Sequence, residues 1–189
     1  MTRKKKIIIT LVFLVIVGVG LWIRPSNFEF HKESERTDLV EIPDSIKAMV
    51  LKDAYSESPI SIARHCAKVT CGLLDFSFNQ DVLFEKPVSK AHCVNYAKVC
   101  AALCNVVYDH YNIAAEAIPV VGRVIIDGVD IHKALTSIVP KKHKHKFFNH
   151  DMVEIRCEGK TSWFIDPVER EFFGLERVYL NNNHILDEE

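Results

Sequence analysis

The chain of 189 residues carries 24 basic and 25 acidic side chains, 48% hydrophobic residues and six cysteines. Five of the basic residues precede position 25 and no acidic one does, so the remainder holds 19 basic against 25 acidic, a net −6 with neutral histidines. That balance argues against nucleic-acid binding, which wants a basic face, while the roughly 150 residues after position 40 suffice for one domain with its own core.

Arg3-Lys4-Lys5-Lys6 form a basic cluster, and an uncharged apolar run follows from Ile7 to Ile23. At about 1.5 Å per helical residue that run reaches roughly 25 Å, and Trp22 and the basic flanks extend it at the interfaces. Residues 1–24 therefore read as a cytoplasmic basic stub with a single-pass transmembrane anchor. Basic residues ahead of the span keep the N-terminus inside and place the rest outside the cytoplasm. The alternative is a signal peptide cleaved near Gly18-Val19-Gly20, which would leave a secreted protein. Residues 25–40 are polar and of mixed charge, and read as a tether. Residues 41–189 are the domain.

Within it, Ile42-Pro43-Asp44 signals a first helix with Ile46, Met49, Val50 and Ala54 on its apolar face. Ser58-Pro59 signals a second, with a buried stripe of Ile62, Cys66, Val69 and Leu73. Asp75 to Pro87 breaks the period and reads as a loop. A third, central helix is expected from a Ser89 cap to about Asn112, with Ala97, Cys100, Ala101, Cys104 and Val107 forming a narrow face against a sheet. After Ala114 the residues turn β-branched. Asp127-Gly128 signals a tight hairpin, Ala134–Asn149 a loop, and Met152–Cys157 and Ser162–Ile165 two strands joined by Glu158-Gly159-Lys160. Helices first and an antiparallel sheet afterwards describe an α+β domain, helices packed on the sheet.

The cysteines do not spell a disulfide scaffold or a metal site: there is no C-x-x-C, and Cys66 and Cys71 fall on different faces of one helix. Cys100 and Cys104 read as small buried side chains. Cys93 differs, since it sits in a helical first turn, where unpaired N–H groups and the helix dipole favour a thiolate. His150 opens a strand, and Asp166 ends the next one before Pro167. A hairpin centred at residue 158 brings His150 and Asp166 to one end, so that Asp166 holds one imidazole nitrogen while the other faces Cys93.

Three fragments, Ala91-His92-Cys93-Val94-Asn95-Tyr96-Ala97, His150-Asp151-Met152-Val153-Glu154-Ile155 and Trp163-Phe164-Ile165-Asp166-Pro167, resemble the transglutaminase-like superfamily over about half the chain, Val88 to Gly174. The resemblance implies a papain-type core in which Cys93, His150 and Asp166 are the catalytic residues. It implies a thiol enzyme, a protease, amidase or acyltransferase, acting on a peptide or protein substrate and needing no cofactor or metal. The Cys93 backbone N–H is one oxyanion donor, and Gln80 is a candidate for the second. Two alternatives stand beside this reading: a catalytically inactive binding module for peptide or cell-envelope material, and a metal-dependent hydrolase using His143, His145 and His150. The run Lys141–Lys146 around His143 and His145 reads first as a solvated basic loop.

Overall fold

A computed structural model describes residues 28–38, 40–54, 58–77, 80–138, 149–158, 162–173, 178–180 and 185–186 of the chain. The anchor expected over 7–23, the basic run 141–146 and the centre of the 158–160 turn lie outside them. Among the described residues no helix is long and apolar enough to cross a membrane.

The expectation of an α+β domain with helices on an antiparallel sheet holds. Two helices, α1 (Asp44–Asp53) and α2 (Pro59–Leu73), begin at the two proline signals. Val50 of the first, Ala54 at its C-cap, and Ile62, Cys66 and Thr70 of the second are buried, whereas Met49 stays 40% exposed. The central helix α3 (Cys93–Tyr111) is buried on almost every side: Tyr96, Val99, Cys100, Leu103, Cys104 and Val107 are each fully buried. It ends where Asn112 takes a left-handed conformation (φ 53°), which asparagine tolerates better than most residues.

The central helix packs against strands β4 (Ala115–Ile126) and β6 (His150–Cys157). Its Asn105 is the clip: the amide nitrogen donates to the Ala117 carbonyl at 2.9 Å, and the Ala117 N–H donates to Asn105 Oδ1 at 2.7 Å. Among the described residues, that stretch of β4 pairs with β6 alone, so the asparagine satisfies backbone groups that a neighbouring strand would otherwise meet.

The remaining elements are β1 (Phe28–Glu35), β2 (Leu74–Phe76), β3 (Ser89–Ala91), β5 (Val129–Asp130), α4 (Ile131–Ile138), β7 (Trp163–Ile165), α5 (Pro167–Phe173), β8 (Val178–Leu180) and β9 (Ile185–Leu186). The main sheet runs β1-β4-β6-β7-β8-β9, each neighbour antiparallel, with β5 also paired to β4. Flat, it would hold β1 and β7 roughly 14 Å apart, at about 4.8 Å per strand. Yet the rings of Phe30 on β1 and Phe164 on β7 lie with centroids 5.2 Å apart. The sheet therefore curls, enclosing a second small core of Val120, Met152, Phe164 and Tyr179 against Phe30 and Ile118.

Four local expectations need correction. Residues 28–35, read as part of the tether, form β1 and pair with β4, with a bulge between Lys32 and Ser34. It is a charged edge strand, so its outer groups face water and hide the strand pattern. Asp75 and Phe76, read as the start of a loop, belong instead to the strand Leu74–Phe76, which pairs in parallel with Ser89–Ala91. Ser89 thus lies in a strand, its Oγ accepting from Phe84 N–H at 3.1 Å, and His92 caps the central helix instead. Finally, Ile131–Ile138 is helical, so only the later part of the expected 134–149 loop can be one. The Asp127-Gly128 hairpin is as expected: both residues have positive φ (48° and 78°), as a type I′ turn requires.

Candidate active site

His92 is extended (φ −112°, ψ −179°), and its Nδ1 accepts the Val94 N–H at 3.2 Å. That cap fixes Cys93 as the first residue of α3. The sulfur lies at the helix N-terminus, half-buried, where the dipole favours a negative charge.

Strand β6 brings the other groups. Because β side chains alternate, His150 and Asp151 leave the strand on opposite faces. Asp151 points to the helix and is buried, and Cys93 Sγ donates to its Oδ2 at 3.8 Å. The other oxygen, Oδ1, accepts from Nε of Arg36, a residue just past β1 whose own N–H bonds to the Pro119 carbonyl at 2.8 Å. His150 opens the strand, with 17% of its side chain exposed, and its Nε2 lies 2.6 Å from Asp166 Oδ2. Val153 pairs with Ile165 and Ile155 with Trp163, so the hairpin centres on residue 159 rather than 158. His150 and Asp166 thus sit diagonally on one face, within reach of a long side chain.

Asp166 has two tasks. Its Oδ1 accepts the Val168 N–H at 2.8 Å, which caps α5 and locks the carboxylate that holds His150. With Nε2 committed to Asp166, Nδ1 is the ring nitrogen left for Cys93. His132, buried on α4, stacks on the His150 ring with centroids 6.2 Å apart and planes 23° apart.

The electrostatics follow from this geometry. Burial pushes the Cys93 thiol up, but hydrogen bonds with His150 and His92 and the charge of His150 outweigh it and draw the thiol down to about 7, against a small upward push from Asp151. Burial lowers His150, but the charge and hydrogen bond of Asp166 and the contact with Cys93 hold it well above the usual histidine range. Other cysteines go the other way. Burial, reinforced by Glu171, pushes Cys71 up to about 12, and burial with its neighbours Cys100 and Cys66 holds Cys104 well above the usual thiol range. A low-pKa thiol beside an imidazole that a carboxylate orients is an arrangement able to attack a carbonyl carbon.

The three expected residues are therefore brought together. Gln80 is exposed, and His143 and His145 lie outside the described residues. Among the described residues no group of three or more His, Cys, Asp or Glu side chains is placed to hold a metal. The residues missed from sequence are Arg36 and Asp151. An aspartate opening an apolar strand was the available signal for the second; nothing in the local pattern pointed to the first. No family model, curated protein or solved structure matches this chain.

Proposed function

We propose that the chain is a thiol enzyme that cleaves or transfers an amide or peptide acyl group through Cys93, His150 and Asp166. Its core would be of the papain type, transglutaminase-like, held outside the cytoplasm by the anchor at 7–23. A central helix that opens on Cys93, packed against a curled antiparallel sheet that carries the histidine, supports that assignment. The observation that carries the activity is the placing of one imidazole between thiol and carboxylate, with Nε2 on Asp166 at 2.6 Å and the thiol drawn to about 7.

In the reaction, the Cys93 thiolate attacks the amide carbon. A C–S bond forms, and the carbonyl π pair moves to oxygen, facing the N-terminal N–H groups of α3. The oxyanion collapses, the C–N bond breaks, and the His150 imidazolium gives its proton to the leaving amine. The thioester is then attacked by water, or by an acceptor amine, whose proton His150 takes; the C–S bond breaks and the thiolate is restored. Asp166 holds the ring in the tautomer that keeps Nδ1 towards sulfur. Activity should rise through about pH 7 as Cys93 ionises and fall at higher pH as His150 loses its proton.

The test is a peptide and amide substrate panel run with the wild-type chain and with Cys93→Ala. Turnover that the substitution abolishes is expected. Turnover that survives Cys93→Ala would overturn the proposal. Binding of panel peptides without turnover, together with Cys93 labelling no faster than Cys71 and Cys104, would point instead to a binding module.

A further inference from the structure

Asp151 is an unusual neighbour for a sulfur that is to be negative. It is buried (1% of its side chain exposed), adjoins His150 in sequence, and accepts the thiol hydrogen at 3.8 Å. A lone carboxylate there would oppose thiolate formation. It is not alone. Arg36 Nε binds its other oxygen, Arg36 is itself 30% exposed, and the Arg36 charge reaches Cys93 as well. A residue before the first helix is thus folded back onto the candidate nucleophile.

We propose that Asp151 and Arg36 form a charge-compensated pair that sets the pH range in which Cys93 becomes a nucleophile, with Arg36 acting as a positioning residue through Asp151. The inference rests on the reading of Cys93 as the nucleophile and extends it. The pair keeps a hydrogen-bond acceptor against the thiol while cancelling most of its charge. When sulfur is protonated, Asp151 accepts its hydrogen; when sulfur is negative, Arg36 offsets the repulsion.

Among the described residues, several other charged groups lie around the sulfur or the pair. His92 at the helix cap and His150 at the strand start both hydrogen-bond with the thiol. Asp166 and His132 act through the His150 ring. Asp38, whose charge also reaches Arg36, is paired with Lys98 of α3. None of these neutralises Asp151; Arg36 does.

The pair makes a prediction of sign that simple structural support does not. Arg36→Gln leaves the Asp151 charge uncompensated and moves the midpoint of Cys93 alkylation up by about one pH unit. Asp151→Asn removes the repulsion and frees Arg36 to attract the thiolate, moving the midpoint down by about one unit. Arg36→Lys keeps the charge and stays near wild type, as does the double variant, which lacks both charges. At pH 6, where the thiolate is scarce, one unit upward is about a tenfold fall in its population and one unit downward about a fivefold rise.

The experiment is iodoacetamide labelling of the full chain from pH 5 to 10, with Cys93 followed by peptide mass spectrometry in all five forms. Opposite shifts in the two single variants support the pair. Shifts in the same direction, or none, overturn it while leaving the nucleophile reading intact. If Arg36→Gln does not fold, Asp151→Asn and Arg36→Lys carry the test, and a downward shift in the first with none in the second is the required result. Wild-type Cys93 that labels no faster than Cys104 overturns the nucleophile reading, and the pair with it.

Discussion

Replacing Asp166 by asparagine and by alanine separates its two tasks. Asparagine keeps an oxygen for the Val168 N–H at 2.8 Å but removes the charge facing His150; alanine removes both. For His150, burial acts downward and Asp166 is its largest opposing influence, so either variant should leave the ring neutral at pH 7. The thiol then returns from about 7 towards an ordinary value near 8.5. At pH 7 its ionised fraction falls from about one half to about 3%, roughly sixteenfold. The surviving thiolate is about fourfold more nucleophilic, so labelling slows by a net factor of about four. The midpoint of the pH profile moves up by about 1.5 units. Stability should divide differently: Asp166→Ala loses the cap, about 1 kcal/mol, or about 3 °C in a domain of this size, whereas Asp166→Asn keeps most of it. Labelling profiles followed by peptide mass spectrometry, with thermal melts alongside, measure both. A midpoint unmoved in both variants would refute the role given to Asp166.

Three further outcomes follow from the fold. Gly122 faces Lys32 in β1 and His150 in β6; a Cβ there would collide with the His31 carbonyl oxygen and sit 2.8 Å from Phe30 Cζ. Gly122→Ala should therefore cost about 1–3 kcal/mol and lower the melting temperature by roughly 3–9 °C, and an unchanged melt would refute the pairing of β1 with β4. Asn105→Ala removes both hydrogen bonds to Ala117, a loss of about 2 kcal/mol, and hydrogen exchange should show the Ala117 amide losing its protection. Glu35 is drawn down to about 2 by hydrogen bonds from Lys32 and Arg156, against slight burial. Its contribution is thus fully present above the ordinary carboxylate value and is lost as pH falls through about 2. Because the group is 40% exposed, Glu35→Gln should cost only a fraction of a kcal/mol at pH 6. Denaturant titrations of the two proteins should converge as pH falls.

Much of the interior was legible because burial writes a period. The stripe from Ile62 to Leu73, the small residues of the central helix and the β-branched run after Ala114 each show one face that must leave water. The Asp127-Gly128 turn was legible because few dipeptides accept two positive φ values. What escaped was non-local. The strand Phe28–Glu35 is charged because its outward positions face water, and its single described core ring, Phe30, meets a partner more than 130 residues away. Ser89 and His92 are both able to cap a helix, and only the pairing of Ser89 with Leu74 decides between them. In the site, Cys93, His150 and Asp166 each stand at an element boundary, where side-chain type and position carry meaning. The Arg36–Asp151 pair has no such mark, since it depends on where the end of β1 lands.

The most direct test is the ionisation of Cys93 itself, read from its Cβ shift in chain labelled with 13C-cysteine and assigned with Cys93→Ser. A midpoint near pH 7 that moves to about 8.5 or above in His150→Ala is the predicted result. A wild-type midpoint already at 8.5, unchanged by that substitution, would contradict it.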